Sequence, residues 1–494
     1  MKYDYDMVVI GGGAAGLTSA GVSVSLGAKT ALVEAKKLGG DCTWYGCIPS
    51  KTLLKAAQVA HYFKTAHRYG LKSVNYTFNF AEVMAHVRRI QQQVYEDADA
   101  PEIYENLGVE VITARAAFID PHTVELQASD GNQRQITSRY FIIATGSAPV
   151  VPPIPGLDQI RYLTNESIFS LTDLPQTLLV IGAGPIGLEV AQAFQRLGAQ
   201  VVVVDIADGI LLNDDRELAD LLKIQLEAEG IQFFTSTQVE RVENVQGKIR
   251  LFARQLSEAK TLTLEGDAVL LSVGRKPNVE GLNLEAAGVK YNKSGIAVNE
   301  SCRTNVKHIY ACGDVTGRFQ FTHFAEHMAK VAVSNALLHF PMKLDNRHIT
   351  WCTYTDPELA HVGLTEKQLQ EKGVKYEIYR FPFSKIDRAI TDNETVGWVK
   401  VFARKLTGKI YGVNILGGHA GEMIGEYALA MRHGITLKKI SDTIHPYPTY
   451  VLGNRRAADQ WYVRKQSRTL VWLLQKVFGY RGPLPDTSDP ERIV

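Results

Sequence analysis

The chain has 494 residues, 45% hydrophobic and 21% charged, with 54 basic against 52 acidic side chains, a length that calls for about three domains of ordinary size. A net charge of +2 leaves no polyanion footprint, so no nucleic-acid partner is expected. No window approaches the roughly 18–20 apolar residues of a membrane-spanning helix, and five cysteines in so long a chain are not a disulfide framework.

The first apolar run, Met7-Val8-Val9-Ile10, is too short for the core of a signal peptide and no cleavage pattern follows, so the chain is expected in the cytoplasm. It reads as a strand entering Gly11-x-Gly13-x-x-Gly16, followed by a helical stretch, Leu-Gly-Ala, and a second strand ending at Glu34. The whole pattern returns 171 positions later, with Gly182-x-Gly184-x-x-Gly187 and a strand ending at Asp205. One glycine-rich turn is weak evidence. Two complete strand-helix-strand units, each with an acid at the second strand's tip, point to two bound dinucleotides. The glycines allow close backbone approach to a pyrophosphate at the helix start, and the acid accepts hydrogen bonds from a ribose.

Between the two units lies "GGDCTWYGCIPSK", with Cys42 and Cys47 five residues apart. Zinc calls for about four ligands, whereas Cys302, Cys312 and Cys352 are scattered; a structural disulfide does not suit the cytoplasm. A redox couple uses more of the residues. Pro49 favours a first helical turn, which places Cys47 near a positive helix end, and Lys51 shares its face four residues on.

Farther along, "FIIATGSAP" (141–149), "VLLSVGRKPN" (269–278) and "IYACGDVTG" (309–317) read as buried strands that break at glycine and cross between domains. His323 and His327 stand four apart on a helix, but no third ligand accompanies them, so no metal site is expected. From about Thr350 the texture becomes alternating strands (396–403, 409–417) and a helix beginning near Ala420, an α+β domain. The end of the chain, "VRKQSRTLVWLLQKVFGYRG" (463–482), reads as a cationic amphipathic helix that packs on the partner subunit or its own domain, or else touches an anionic membrane surface.

In their order, these motifs resemble the pyridine nucleotide-disulfide oxidoreductase family, which includes dihydrolipoamide dehydrogenase, glutathione reductase and mercuric reductase. The resemblance covers about residues 4–460. It implies an α/β fold of two Rossmann-like dinucleotide-binding domains, for FAD and NAD(P), and a C-terminal α+β dimerisation domain. The expected boundaries are 1–150 and 272–345 for the FAD domain, 151–271 for the NAD(P) domain, 346–460 for the interface domain and 461–494 for the tail. Hydride would pass from the nicotinamide to the flavin, and from there electrons to a Cys42–Cys47 disulfide. Cys47 would be the thiol beside the flavin and Cys42 the outer thiol that attacks substrate. Lys51 would approach the flavin and pair with Glu189, in keeping with the need of an interior carboxylate for a partner. Gly11, Gly13, Ala15, Gly16, Glu34, Gly40 and Lys51 would line the FAD site, joined by Thr145, Gly146, Gly313, Asp314 and Ala325 from later segments. Gly182, Gly184, Ile186, Gly187, Glu189, Asp205 and Gly274 would receive NAD(P)H, with NADH favoured because Asp205 would repel a 2′-phosphate. A homodimer is implied.

Family members that reduce disulfides carry a His-Pro pair with a catalytic base near the C-terminus, reaching into the partner's site. Here "TIHPYPTYVLGNRRAADQ" (443–460) puts Tyr447 where that histidine stands, His445 on the first, non-catalytic histidine, and Leu452 where the orienting glutamate belongs. The usual imidazole-carboxylate base is therefore expected to be missing, which resembles mercuric reductases. Three departures from mercuric reductases accompany this: neither their terminal cysteine pair nor their N-terminal metal-carrying domain is expected here, and Asp41 and Trp44-Tyr45 are unusual in the redox loop. The expected activity is NAD(P)H-driven reduction of Hg(II) or another soft or small electrophile. The alternatives are a dihydrolipoamide dehydrogenase, a quinone or disulfide reductase, and a non-enzymatic flavin redox sensor.

Overall fold

The computed structural model describes residues 2–74, 76–258 and 260–484. They fall into two units, the first built from 1–63, 74–206 and 237–345, the second from 64–73, 207–236 and the chain from Asn346 onward.

In the first unit, strand Tyr5–Ile10 lies between Thr30–Glu34 and Gln133–Ile143, all parallel, with Glu110–Thr113 and Ile309–Ala311 added parallel on either side. The central strands are almost continuously apolar and buried, as expected of a sheet covered on both faces. Arg115–Asp120 and Thr123–Gln127 extend the sheet in antiparallel fashion. Helices Ala14–Ser25 and Thr322–Val333 pack on one another. A second parallel set, Gln200–Val204, Thr177–Ile181 and Ala268–Leu271, carries helix Pro185–Leu197. Strands Ser147–Pro149 and Arg275–Pro277 pair antiparallel where the chain passes into and out of this second set.

The internal duplication extends to individual hydrogen bonds. Gly11 N donates to Val33 O at 2.8 Å and Gly182 N to Val204 O at 2.9 Å; Ala144 N donates to Ile10 O and Ser272 N to Ile181 O. A Cβ on Gly16 would collide with Gly11 O, and one on Gly187 with Gly182 O. Only glycine permits a helix to begin this close to its strand.

The second unit is built on a five-stranded antiparallel sheet in the order Thr350–Thr353, Glu358–Gly363, Ile410–Gly417, Trp398–Ala403, Glu377–Pro382. Helices Ala420–Arg432 and Leu452–Val463 cover it, and Tyr379, Phe383, Val401, Val413 and Tyr427 form the centre of the core. Inside this unit Lys400, 3% exposed, reaches Asp215 (2% exposed) at 2.8 Å and Glu217 at 2.9 Å. Within the stretch 463–482 the helix is shorter than expected: it runs Arg468–Phe478 behind a Ser467 cap, after helix Leu452–Val463 has ended. Among the described residues no helix is long and apolar enough to cross a membrane.

Candidate active site

Both glycine turns present a bare helix start. Helix Ala14–Ser25 is preceded by Gly13 and helix Pro185–Leu197 by Gly184, each extended and each without a side-chain cap. The first-turn N–H groups thus face outward without a built-in acceptor, which suits a pyrophosphate. At the neighbouring strand tips Glu34 Oε2 accepts from Gly12 N and Asp205 Oδ2 from Ala183 N, both at 2.6 Å. Each bond holds a carboxylate beside its turn, so the residues present fit two dinucleotides. Gly40 packs directly against Gly13, and a Cβ on Gly313 would lie 3.1 Å from that of Ala325 and 3.5 Å from that of Ala15. Residues far apart in sequence thereby meet around the first helix start. Thr145 and Gly146 are tied to Asn278 by hydrogen bonds of 2.7–3.0 Å, and Gly274 O accepts from Val150 N. Ile186 is 37% exposed on the second glycine helix.

Cys42 lies on the short helix Gly40–Trp44, and Cys47 is the first residue of helix Cys47–Thr65. Both are free, partly buried thiols. The Cys47 thiol is held down to about 6, foremost by S–H donation from Cys42; burial opposes this, while the Thr322 hydroxyl and the Lys51 charge assist it. The same bond, together with burial, pushes Cys42 well up. The pair therefore loses its first proton from Cys47 and keeps the second on Cys42. Thr322 Oγ1, at the start of helix Thr322–Val333, stands 3.6 Å from Cys47 Sγ. Lys51 Nζ meets Glu189 Oε2 at 2.8 Å, as the motif register implied.

Asp41, noted only as unusual in sequence, turns out to be an anchor. Its Oδ1 is 3.1 Å from Arg275 Nη2 and accepts from Asn165 Nδ2 at 3.0 Å. Arg275 also donates to Ser147 Oγ at 2.8 Å, and Ser147 donates to Asp314 Oδ2 at 2.6 Å. Burial raises the Asp314 carboxyl, an effect that Ser147 and Arg275 counter. Trp44 is likewise fixed, with Lys37 Nζ 3.4 Å over its ring and its indole N–H donating to Leu38 O.

His445 and Tyr447 belong to the second unit. Tyr447 is 70% exposed and Leu452 is buried. A separate imidazole-carboxylate pair stands at the first-histidine position: His445 Nε2 meets Glu426 Oε1 at 2.8 Å, while its Nδ1 meets Thr443 O at 3.0 Å. Glu426 in turn accepts from Asn454 Nδ2. With both ring nitrogens occupied, His445 presents none to a substrate sulfur. Glu426 is 19 residues from His445, a separation that gave no sequence signal. Among the described residues no group of three or more His, Cys, Asp or Glu side chains is arranged to hold a metal ion.

Comparison with known proteins agrees with this geometry. The family model described as pyridine nucleotide-disulphide oxidoreductase matches residues 5–329, and that of the family's dimerisation domain matches residues 349–455. A mercuric reductase of Staphylococcus aureus is 34% identical over 92% of this chain and 82% of its own. A dihydrolipoyl dehydrogenase of Bacillus subtilis is also 34% identical, over 91% of this chain and 96% of its own. Among solved structures, LpdA of Mycobacterium tuberculosis superposes with a TM-score of 0.85 at 26% identity, covering 92% of this chain and 99% of that one. The Cu(II) complex of the HOCl-induced flavoprotein disulfide reductase RclA of Escherichia coli gives 0.83 at 26%, covering 93% and 99%.

Proposed function

The chain belongs to the pyridine nucleotide-disulphide oxidoreductase family, whose members are flavin-dependent and take electrons from NAD(P)H, and we propose that its own acceptor is a soft metal ion, Hg(II) foremost, held by Cys42 and Cys47. The observation that carries this reading is the pairing of a Cys47 thiolate, ionised above about pH 6, with a neighbouring Cys42 thiol. Such a pair can ligate a thiophilic cation, the Cys42 S–H proton being released to solvent as the metal–sulfur bond forms. Bound FAD supplies the two-electron relay between NAD(P)H and this pair. The sum is NADH + Hg²⁺ → NAD⁺ + Hg⁰ + H⁺, with no proton to be placed on a leaving sulfur.

In this reading the first glycine turn, Glu34 and Asp314 hold FAD, and the second turn with Asp205 holds NADH, the 2′-hydroxyl of the ribose being matched to Asp205. Lys51 and Glu189 set the charge beside Cys47. Tyr447, exposed in the single chain, serves the partner's site in a homodimer. RclA, a structure of the same fold, has been solved as a Cu(II) complex, which is in keeping with a metal ion as ligand of such a chain. Dihydrolipoamide oxidation is the rival, since relatives of both kinds are equally similar, but it needs a proton carrier that Tyr447 replaces poorly. The test compares NADH-driven Hg(II) reduction with NAD-driven dihydrolipoamide oxidation in the FAD-loaded protein and in Cys42→Ser. Metal reduction lost in the variant, with little dihydrolipoamide turnover in either, is the expected result. Fast dihydrolipoamide turnover, or Hg(II) reduction that survives the substitution, would overturn it.

A further inference from the structure

The helix Arg468–Phe478 lies beyond the stretch matched by the dimerisation-domain model, which ends at residue 455. It has its own Ser467 cap, and none of its residues is buried. Leu470, Leu473, Leu474, Val477 and Phe478 recur at i, i+3, i+4, i+7 and i+8, which puts them on one face. Their exposures are 43, 51, 37, 65 and 63%. That face is not packed on its own unit, which removes one of the occupants expected from the sequence. Arg468 and Lys476 lie on the opposite face, Lys476 Nζ standing 5.9 Å over the Trp472 ring. From Gln460 to Leu484 the chain holds Arg464, Lys465, Arg468, Lys476 and Arg481 and no acidic residue.

An apolar face with cations on the other side and on both flanks is the chemistry of a helix lying in a lipid-water interface. The apolar side chains enter the acyl boundary while the ammonium and guanidinium groups remain among the headgroups. A second copy docking through this same helix would bring like charges together, whereas an anionic surface brings the opposite sign. We propose that this helix docks the protein reversibly on an anionic phospholipid bilayer. The inference does not depend on the identity of the electron acceptor.

The test is co-sedimentation of the full-length, FAD-loaded protein with phosphatidylcholine vesicles that contain or lack phosphatidylglycerol. Binding is expected to the anionic vesicles and to weaken on the order of tenfold or more without phosphatidylglycerol or in raised salt. Leu473→Glu with Val477→Glu should abolish it, and Arg468→Gln with Lys476→Gln should reduce it, while the flavin spectrum shows that both variants are folded. Equal sedimentation of wild type and the Leu473→Glu/Val477→Glu variant would overturn the proposal. So would failure of the wild type to bind anionic vesicles, binding of equal strength to pure phosphatidylcholine, or a smaller oligomer for the glutamate variant in gel filtration with light scattering, which would assign the face to a second copy.

Discussion

Lys51 Nζ sits 2.8 Å from Glu189 Oε2, joining the helix that opens at Cys47 to the helix that follows the second glycine turn. The Glu189 side chain is only 6% exposed, so the Lys51 ammonium offsets the charge of a buried carboxylate. Toward Cys47 the two act with opposite sign: Lys51 favours the thiolate and Glu189 disfavours it. In the reduced protein, Lys51→Met should therefore move the Cys47 titration upward in pH and Glu189→Gln downward. The pH dependence of iodoacetamide labelling, read by mass spectrometry at Cys47, measures both. Shifts of the same sign would show that the pair does not reach the sulfur as individual charges.

The wild-type titration carries its own expectation. A thiol depressed from the ordinary 9.0 to about 6 is protonated below that pH and reactive above it, so labelling at Cys47 should rise through about pH 6 and be level by neutrality. Cys42, pushed upward, should label slowly throughout. Thr322→Val removes a hydroxyl that favours the thiolate and should move the midpoint upward. A wild-type midpoint between pH ~8 and ~9, the ordinary cysteine range, would refute the assignment.

The parts of this site that were legible in the sequence are those written in local spacing. Glycines three residues apart, an acid at the next strand's tip, and a lysine one helical turn beyond Cys47 each follow from the geometry of a single strand-turn-helix, so Gly11 to Glu34 and Gly182 to Asp205 could be placed without the fold. Partners contributed by distant segments could not. Thr322 reaches Cys47 across 275 positions, and Arg275 meets Asp41 only because strands Ser147–Pro149 and Arg275–Pro277 pair where the chain re-enters the first sheet. The tail was legible as amphipathic, and its helix is confined to Arg468–Phe478 because the polar run 464–467 carries no apolar face and Ser467 caps a new start.

Arg275 is 11% exposed at its side chain and bridges Asp41 at 3.1 Å to Ser147 and, at 4.0 Å, to Asp314. Removing it leaves only the Ser147 hydrogen bond to counter the burial of Asp314, which raises its carboxyl further, and takes away one of the two holds on Asp41 before Cys42. Arg275→Ala should loosen FAD, seen as free flavin fluorescence after desalting, and should slow re-formation of the Cys42–Cys47 disulfide. Arg275→Lys should recover part of the retention, since a point charge replaces the fork without its two-sided reach. Full FAD retention in Arg275→Ala would show that the bridge is incidental.

Asp214 accepts a hydrogen bond from Trp351 Nε1 at 2.8 Å, and burial raises its carboxyl from 3.8 to about 7. Between those pH values the unfolded chain releases a proton that the folded one retains, so this group destabilises the fold progressively from about pH 4 to about pH 7 and by a constant amount above. Asp214→Asn keeps an oxygen for Trp351 and has no charge to desolvate. Its thermal midpoint should exceed that of the wild type at about pH 8 and match it at about pH 4, a gain of at most a few kcal/mol. An equal effect at both pH values would assign the change to packing.

On the proposed reading, Tyr447 separates dithiol-disulfide chemistry from reduction of a metal ion. Reduction of a disulfide, or oxidation of a dithiol, requires a proton to reach or leave a sulfur as the S–S bond breaks or forms. An imidazole near neutral pKa does this well, whereas a phenol with a reference value of about 10 does not. His445 cannot substitute from two residues away, because Glu426 and the Thr443 carbonyl occupy both its nitrogens. Reduction of a metal ion bound between two sulfurs needs no such transfer, and there a phenol can stand beside the cation. Tyr447→His should therefore raise dihydrolipoamide turnover, by up to the ~10²–10⁴-fold that positioned proton transfer contributes, and leave Hg(II) reduction equal or lower. The gain should be incomplete, since Leu452 stands where a carboxylate would orient the new imidazole; adding Leu452→Glu should increase it further if the buried position tolerates the charge. Parallel NADH and NAD assays on the wild type and both variants decide the matter. Dithiol turnover unchanged by Tyr447→His, in a protein that retains its flavin and its oligomeric state, would show that this position does not govern proton transfer.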